Sequence, residues 1–192
     1  MPNREHNARG SRPCPGDKIV TNPQIPGLRA IDAPGASDHR GSMRRFFDAE
    51  LFHTLKIDMR AAQVAVAHNL LAGTLRGLHY QTSPATDAKV VCCTRGRLFD
   101  VAVDLRPDSG GFGAWQSFEL SADNPRALFV PAGCAHGYLT LEPDTDILYI
   151  IGASYGEDLQ RGVRWDDPTL NIIWPFEPHV LSERDRDLPH LT

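Results

Sequence analysis

The stretch Leu98-Phe99-Asp100-Val101-Ala102-Val103-Asp104-Leu105 decides the fold. Phe99, Val101, Val103 and Leu105 alternate with Asp100, Ala102 and Asp104. Successive side chains of a strand point to opposite faces, so this period of two reads as a strand with one buried face. Carboxylates on such a strand need partners wherever they are buried. Further β-prone runs lie on either side, at 63–66, 74–80, 89–93, 127–130, 137–141 and 147–151. Turn signals separate them at Ser83-Pro84, Arg95-Gly96, 107–111, 131–133 and 142–144. Many short strands at this spacing predict an all-β sandwich or barrel. Helical signal is weak: residues 49–57 predict one short helix, and Ser182 caps a turn over Glu183-Arg184-Asp185. Segments 107–115 and 165–174 read as irregular, with Asp166-Asp167-Pro168 marking a turn.

A chain of 192 residues predicts one domain with room for a sizeable core. Residues 1–26, rich in Pro, Gly, Asn and Arg, read as a flexible tail, which leaves 27–192 as a single domain. Hydrophobic residues at 41% and charged residues at 23% are an ordinary globular balance. The net charge of -4 argues against nucleic acid as a partner but allows a local basic site for a small anion. No apolar run approaches the roughly 18 residues of a membrane span. Arg4, Arg9 and Arg12 stand in a polar N-terminus without the apolar run of a secretory signal, which predicts a cytoplasmic protein. Cys14, Cys92, Cys93 and Cys134 match no zinc or disulfide spacing and read as free thiols. Adjacent Cys92 and Cys93 face opposite sides if they lie on a strand.

The densest chemistry is Arg76-Gly77-Leu78-His79-Tyr80-Gln81. Regular alternation puts Arg76, Leu78 and Tyr80 on one face and Gly77, His79 and Gln81 on the other. An edge strand with solvated polar groups is the plain alternative. Lys89, opening the next run, is by itself most simply a surface residue. Tyr149 and Asp185 carry no signal on their own. Pro131-Ala132-Gly133-Cys134-Ala135-His136-Gly137 resembles the Pro-x-Gly-x-x-His half of the cupin metal motif. The other half needs a His-x-His pair and a Glu, but Tyr80 and Gln81 follow His79. With only His79 and His136 as inward ligands, a stable metal site lacks its full set. The expectation is a cupin-type jelly-roll barrel with a few short helices and no metal.

Together these segments resemble the dTDP-4-dehydrorhamnose 3,5-epimerase family. The matching pieces are Asp38-His39-Arg40-Gly41, Gly73-Thr74-Leu75-Arg76-Gly77-Leu78-His79-Tyr80-Gln81, Lys89, and Phe99 through Arg106. Pro131-Ala132-Gly133, Ala135-His136-Gly137, Tyr149, Trp165-Asp166-Asp167-Pro168, Trp174-Pro175 and Leu181-Ser182-Glu183-Arg184-Asp185 follow in order. The resemblance implies His79 as the base beside a C4 ketone, Asp185 as its orienting carboxylate, Lys89 as the enolate stabiliser and Tyr149 as the acid on the opposite face. It implies Arg40 and Arg76 on the pyrophosphate, with Gln63, Gln81, Asp100 and His136 completing the polar lining. The implied substrate is a dTDP-linked 4-keto-6-deoxy sugar, with no cofactor, and the implied assembly is a homodimer in which Arg40 serves the neighbour. A C3-only epimerase and a non-catalytic sugar-binding barrel are the alternatives; a metal-dependent cupin enzyme lacks its ligands. Departures from the family pattern are Ile150 after Tyr149, Ala65 and Ala67 after Gln63, and Ser42-Met43-Arg44-Arg45 after the Arg40-Gly41 turn.

Overall fold

The computed structural model describes residues 19–124 and 126–191. The opening stretch is strand β8 (Arg97–Asp104), which pairs antiparallel with β9 (Trp115–Ser121) and β11 (Cys134–Thr140). Beyond β11 come β6 (Leu75–Gln81) and β13 (Gln160–Gly162), giving a five-stranded sheet ordered β13-β6-β11-β8-β9. A six-stranded sheet is built from β1 (Ile19–Thr21), β2 (Arg29–Asp32), β10 (Arg126–Val130), β7 (Lys89–Arg95), β12 (Thr145–Ile151) and β5 (Gln63–Asn69), in that spatial order. A hairpin, β3 (Gly35–Asp38) and β4 (Gly41–Arg44), stands apart from both. Among the described residues, helices are confined to α1 (Ala49–Thr54), α2 (Glu183–Arg186) and a 3-10 turn at Glu157–Leu159. This is the expected all-β, cupin-type architecture with short helices.

Apolar side chains pack in three layers. Leu98, Ala102, Val91, Cys93, Leu128, Tyr138 and Ile147 fill the space between the sheets. Val90, Cys92, Phe129 and Ile150 pack on the far side of the six-stranded sheet against Phe52 and Ile57, around α1. Leu78, Val101, Val103 and Ala135 pack on the far side of the five-stranded sheet beneath Val163, Leu170 and Trp174. Cys92 and Cys93 therefore face opposite layers. The single buried face expected for β8 is corrected: both faces are covered. Leu98, Asp100, Ala102 and Asp104 are each 0% exposed on one side, and Val101 and Val103 are equally buried on the other. The C-terminal chain supplies the second cover, which alternation within one strand cannot reveal.

The tail boundary expected at residue 26 falls inside ordered chain. β1 pairs with β2 from Ile19 onward, and Ile25 is fully buried. Residues 1–18, including Cys14, lie outside the described residues. The helix expected over 49–57 is shorter, α1 ending at Thr54, and it opens on Asp48, whose carboxylate accepts from the Glu50 and Leu51 amides at 3.1 Å each.

Asp104 finds its partner two residues on. Arg106 donates to it through Nε at 2.8 Å and Nη2 at 2.6 Å, and Ser109 Oγ donates at 2.6 Å. Burial opposes ionisation here, but these hydrogen bonds outweigh it and hold the carboxyl below its ordinary 3.8. A depressed folded-state pKa stabilises above the unfolded value, and the gain is lost as pH falls through the folded one. Asp104→Asn is expected to cost about 2 kcal/mol near neutral pH. Its penalty shrinks below pH 3.8, where the wild type loses the same contribution. Urea midpoints at pH 7, 4 and 3 check this; a penalty independent of pH contradicts it.

Candidate active site

The cleft opens between the two sheets where β6 faces β5, β7 and β12. Its shape depends on an irregularity in β6. His136 pairs with His79 and Tyr138 with Arg76, so β6 carries one residue more than β11 between these pairs. That is a β-bulge. Gly77 sits in it with φ +131, and an added Cβ would lie 2.5 Å from Gly137 Cα and 2.9 Å from the His136 carbonyl oxygen. Only glycine fits. The extra residue resets the alternation, so Arg76 and His79 both line the cleft while Leu78 packs in the outer layer. The expectation that Arg76 and His79 lie on opposite faces is thereby corrected. The edge-strand alternative also fails, because β6 is flanked by β13 and β11. Gly77→Ala is expected to destabilise by about 3 kcal/mol or more through clash and backbone strain. A urea midpoint within error of the wild type would contradict the close approach.

His79 Nε2 lies 2.6 Å from Asp185 Oδ1. Asp185 is 3% exposed and stands in α2, whose first turn is capped by Ser182 Oγ accepting from the Asp185 amide at 3.1 Å. Burial again opposes ionisation, but the hydrogen bond and charge of His79, with the Gly77 amide, hold the Asp185 carboxyl below its ordinary range. An ionised carboxylate only accepts, so His79 donates Nε2–H to it. Nδ1 remains to receive a proton. Lys89 is 8% exposed. Its Nζ donates to the His79 carbonyl oxygen at 3.2 Å and lies 3.1 Å from Asp87 Oδ2.

Tyr149 comes from β12 in the facing sheet, paired with Val91 and Ala65. Burial, the nearby Tyr138 and the Asp100 carboxylate push its pKa well above the usual 10.0, so the phenol keeps its proton at neutral pH. Tyr138, two residues past His136 on β11, hydrogen-bonds to Tyr149 and donates to Asn69 Oδ1 at 3.1 Å. Arg76 Nε donates to the same oxygen at 3.0 Å. His136 packs edge-on to Tyr149, with ring centroids 6.0 Å apart, and its Nε2 lies 2.9 Å from both oxygens of Asp100.

The structure thus brings His79, Lys89, Tyr149, Asp185, Arg76 and His136 to one cleft, with Asp100 buried behind His136. One expected lining residue, Gln81, lies elsewhere. Gln81 is 1% exposed. Its amide nitrogen donates to the Ala85 and Ser154 carbonyls, and its amide oxygen accepts from the Gly156 amide and Gln160 Nε2. Every polar atom of the side chain is spent on neighbouring loops, so Gln81 is a strut rather than a ligand. Gln63, exposed at the start of β5, pairs with the cleft residue Ile151 and shares the strand face of Ala67, which lines the cleft. Arg40, at the tip of the β3–β4 hairpin, pairs with Asp38 at 2.6 Å and is absent from the cleft of its own chain. Of the departures, Ala67 lines the cleft, whereas Ile150 points into the apolar layer against α1 and cannot face a substrate there. Sequence reasoning missed Asp87, Asn69 and Tyr138. Tyr138 was findable, since a residue two past His136 shares its face of the strand. Among the described residues, no three His, Cys, Asp or Glu side chains group as a metal cage, and no helix is long and apolar enough to cross a membrane.

Comparison with known proteins is consistent across sequence and structure. The family model described as dTDP-4-dehydrorhamnose 3,5-epimerase matches residues 22–192. The enzyme of that name from Sinorhizobium fredii is 44% identical over 155 residues, 80% of each chain. A dTDP-4-dehydro-6-deoxyglucose 3-epimerase from a Streptomyces species is 38% identical over 160 residues, 81% of this chain and 80% of that one. The crystal structure of the Bacillus anthracis dTDP-4-dehydrorhamnose 3,5-epimerase, with TDP and PPi bound, shares the fold with a TM-score of 0.87 at 36% identity, over 92% of this chain and all of that one. On that breadth of match, the chain belongs to the dTDP-4-dehydrorhamnose 3,5-epimerase family.

Proposed function

We propose that this protein inverts C3 and C5 of a dTDP-4-dehydro-6-deoxyhexose, an epimerisation that serves deoxysugar and polysaccharide synthesis. The carrying observation is a base–carboxylate pair on one wall of a cleft, His79–Asp185 at 2.6 Å, facing the protonated phenol of Tyr149 on the other. His79 Nδ1 takes the proton from the carbon next to the C4 ketone. The electron pair of that C–H bond moves to the carbonyl oxygen, where the Lys89 ammonium stabilises the charge as it develops. Tyr149 then gives a proton to the opposite face of the same carbon. Loss from one face and return to the other is what inverts the centre. Asp185 stabilises the imidazolium formed in the first step. Arg76 offers a guanidinium fork to the pyrophosphate.

Incubation with dTDP-4-dehydro-6-deoxyglucose in heavy water tests this reading. Deuterium at C3 and C5 supports it. Deuterium at C3 alone makes the protein a 3-epimerase, like the Streptomyces relative that is 38% identical. Absence of exchange at either carbon overturns both for this substrate and leaves a different nucleotide sugar or a sugar-binding barrel.

The reading includes a homodimer and a cytoplasmic site of action. β5 is the outermost strand of its sheet, and its Val64 and Val66 are 67% and 63% exposed. Apolar side chains on an open strand edge favour pairing with a second copy. Arg40, with no role in its own cleft, then reaches the partner's pyrophosphate site. Mixing Arg40→Ala with His79→Asn protein is expected to restore activity by subunit exchange. A fully active monomer in light scattering contradicts this arrangement. Free, buried Cys92, Cys93 and Cys134 suit a reducing compartment.

A further inference from the structure

The Lys89 ammonium is bound on two sides before any substrate arrives. It has three N–H donors. One meets the His79 carbonyl oxygen at 3.2 Å and another faces Asp87 Oδ2 at 3.1 Å. The third is left for a ligand oxygen in the cleft. Asp87 is itself fixed: it is 3% exposed, and its Oδ1 accepts from the Gln81 backbone N–H at 3.0 Å. Gln81 is in turn locked by its four side-chain contacts. A rigid chain of contacts therefore runs from the loop around Gln81, through Asp87, to the cation.

We propose that Asp87 is the positioning residue of the enolate-stabilising cation, holding Lys89 Nζ in register with the base before the ketone binds. The proposal rests on the role given to Lys89 in the reading above. A lysine head on a flexible four-carbon stem samples many positions, and a cation helps a developing oxyanion only where it is already in place. The His79 carbonyl ties the ammonium to the strand that carries the base, but a neutral acceptor alone does not balance a charge this buried. The Asp87 carboxylate supplies the balance and the second point of attachment. It also has a cost, because its negative charge competes with the enolate for the same ammonium. Asp87 thus trades some of the pull on the transition state for a fixed geometry.

The test is Asp87→Asn, which keeps size and an acceptor for the Gln81 backbone N–H but removes the charge. Four quantities are read: kcat and KM for deuterium incorporation, dTDP affinity by calorimetry, and the urea midpoint. The expected result is a kcat about 10- to 30-fold lower, the scale of a weakened acid–base or electrostatic contact. KM and dTDP affinity stay within about threefold, because Lys89 addresses the ketone and not the nucleotide. In a Lys89→Met background the same substitution is expected to change kcat by less than about twofold, the signature of a residue acting through Lys89. An unchanged kcat in the wild-type background overturns the proposal. So does an equal loss in both backgrounds, or a loss of dTDP affinity in proportion to kcat. If Asp87→Asn does not fold, Asp87→Glu keeps the charge and moves it by one methylene; full activity there overturns the idea equally. A wild type that shows no exchange sinks the epimerase reading instead, so the two failures are distinguishable.

Discussion

Substituting His79 by asparagine is expected to lower kcat for epimerisation by about 10²–10⁴-fold, the usual contribution of a positioned acid or base. Asparagine fills part of the imidazole volume and can still donate to Asp185, so the fold is expected to survive. It cannot accept a proton from carbon. Deuterium incorporation must therefore fall at both C3 and C5 if one base serves both centres. KM should move little, because the nucleotide is held elsewhere. Asp185→Asn is expected to give a smaller loss, since the imidazole remains but its charged form loses the carboxylate at 2.6 Å. Persistent exchange at either carbon in the His79 variant would assign that centre to another base.

Lys89→Met is the second large effect, with kcat expected to fall by about 10²–10³-fold, the range seen when one oxyanion contact is removed. Methionine preserves the unbranched stem and its packing while deleting the charge. Here stability is expected to fall as well. Asp87 is 3% exposed and loses its counter-charge, and stripping one partner from a buried pair costs about 3–5 kcal/mol. The double variant Asp87→Asn/Lys89→Met should regain much of that stability with none of the activity. Urea unfolding beside the exchange assay separates the two effects. A single Lys89 variant with wild-type stability would mean that Asp87 finds another partner.

Much of this architecture was legible in the chain because its inner strands alternate and its turns are marked by Gly and Pro. The runs around Lys89, Leu98, Ala127 and Ile147 all became strands close to their expected bounds. β9 was missed because Gln116, Ser117 and Glu119 dilute its apolar pattern, and three-residue β13 is too short to show a period. The site was less legible for a different reason. Asp185 lies 106 residues from His79, and nothing local in a charged segment marks it as a buried partner. Resemblance to the family supplied it, and the 2.6 Å contact gives it a physical basis. The same resemblance misplaced Gln81, because a residue's position in a motif does not reveal how its hydrogen bonds are spent. Bulges are equally silent in sequence: Gly77 looks like any strand glycine until Gly137 is seen against it.

The strand order carries a kinetic consequence. β6, with His79, pairs only with β11 and β13, and β12, with Tyr149, pairs only with β7 and β5. None of these partners adjoins it along the chain. Such distant pairings close large loops, and chains dominated by them fold slowly. Hairpins like β3–β4 and β8–β9 can form early, but they bring together neither His79 with Asp185 nor Tyr149 with His136. The cleft that gathers His79, Asp185 and Tyr149 is therefore complete only once these long-range strands have paired, so its assembly belongs to the slow, late part of folding.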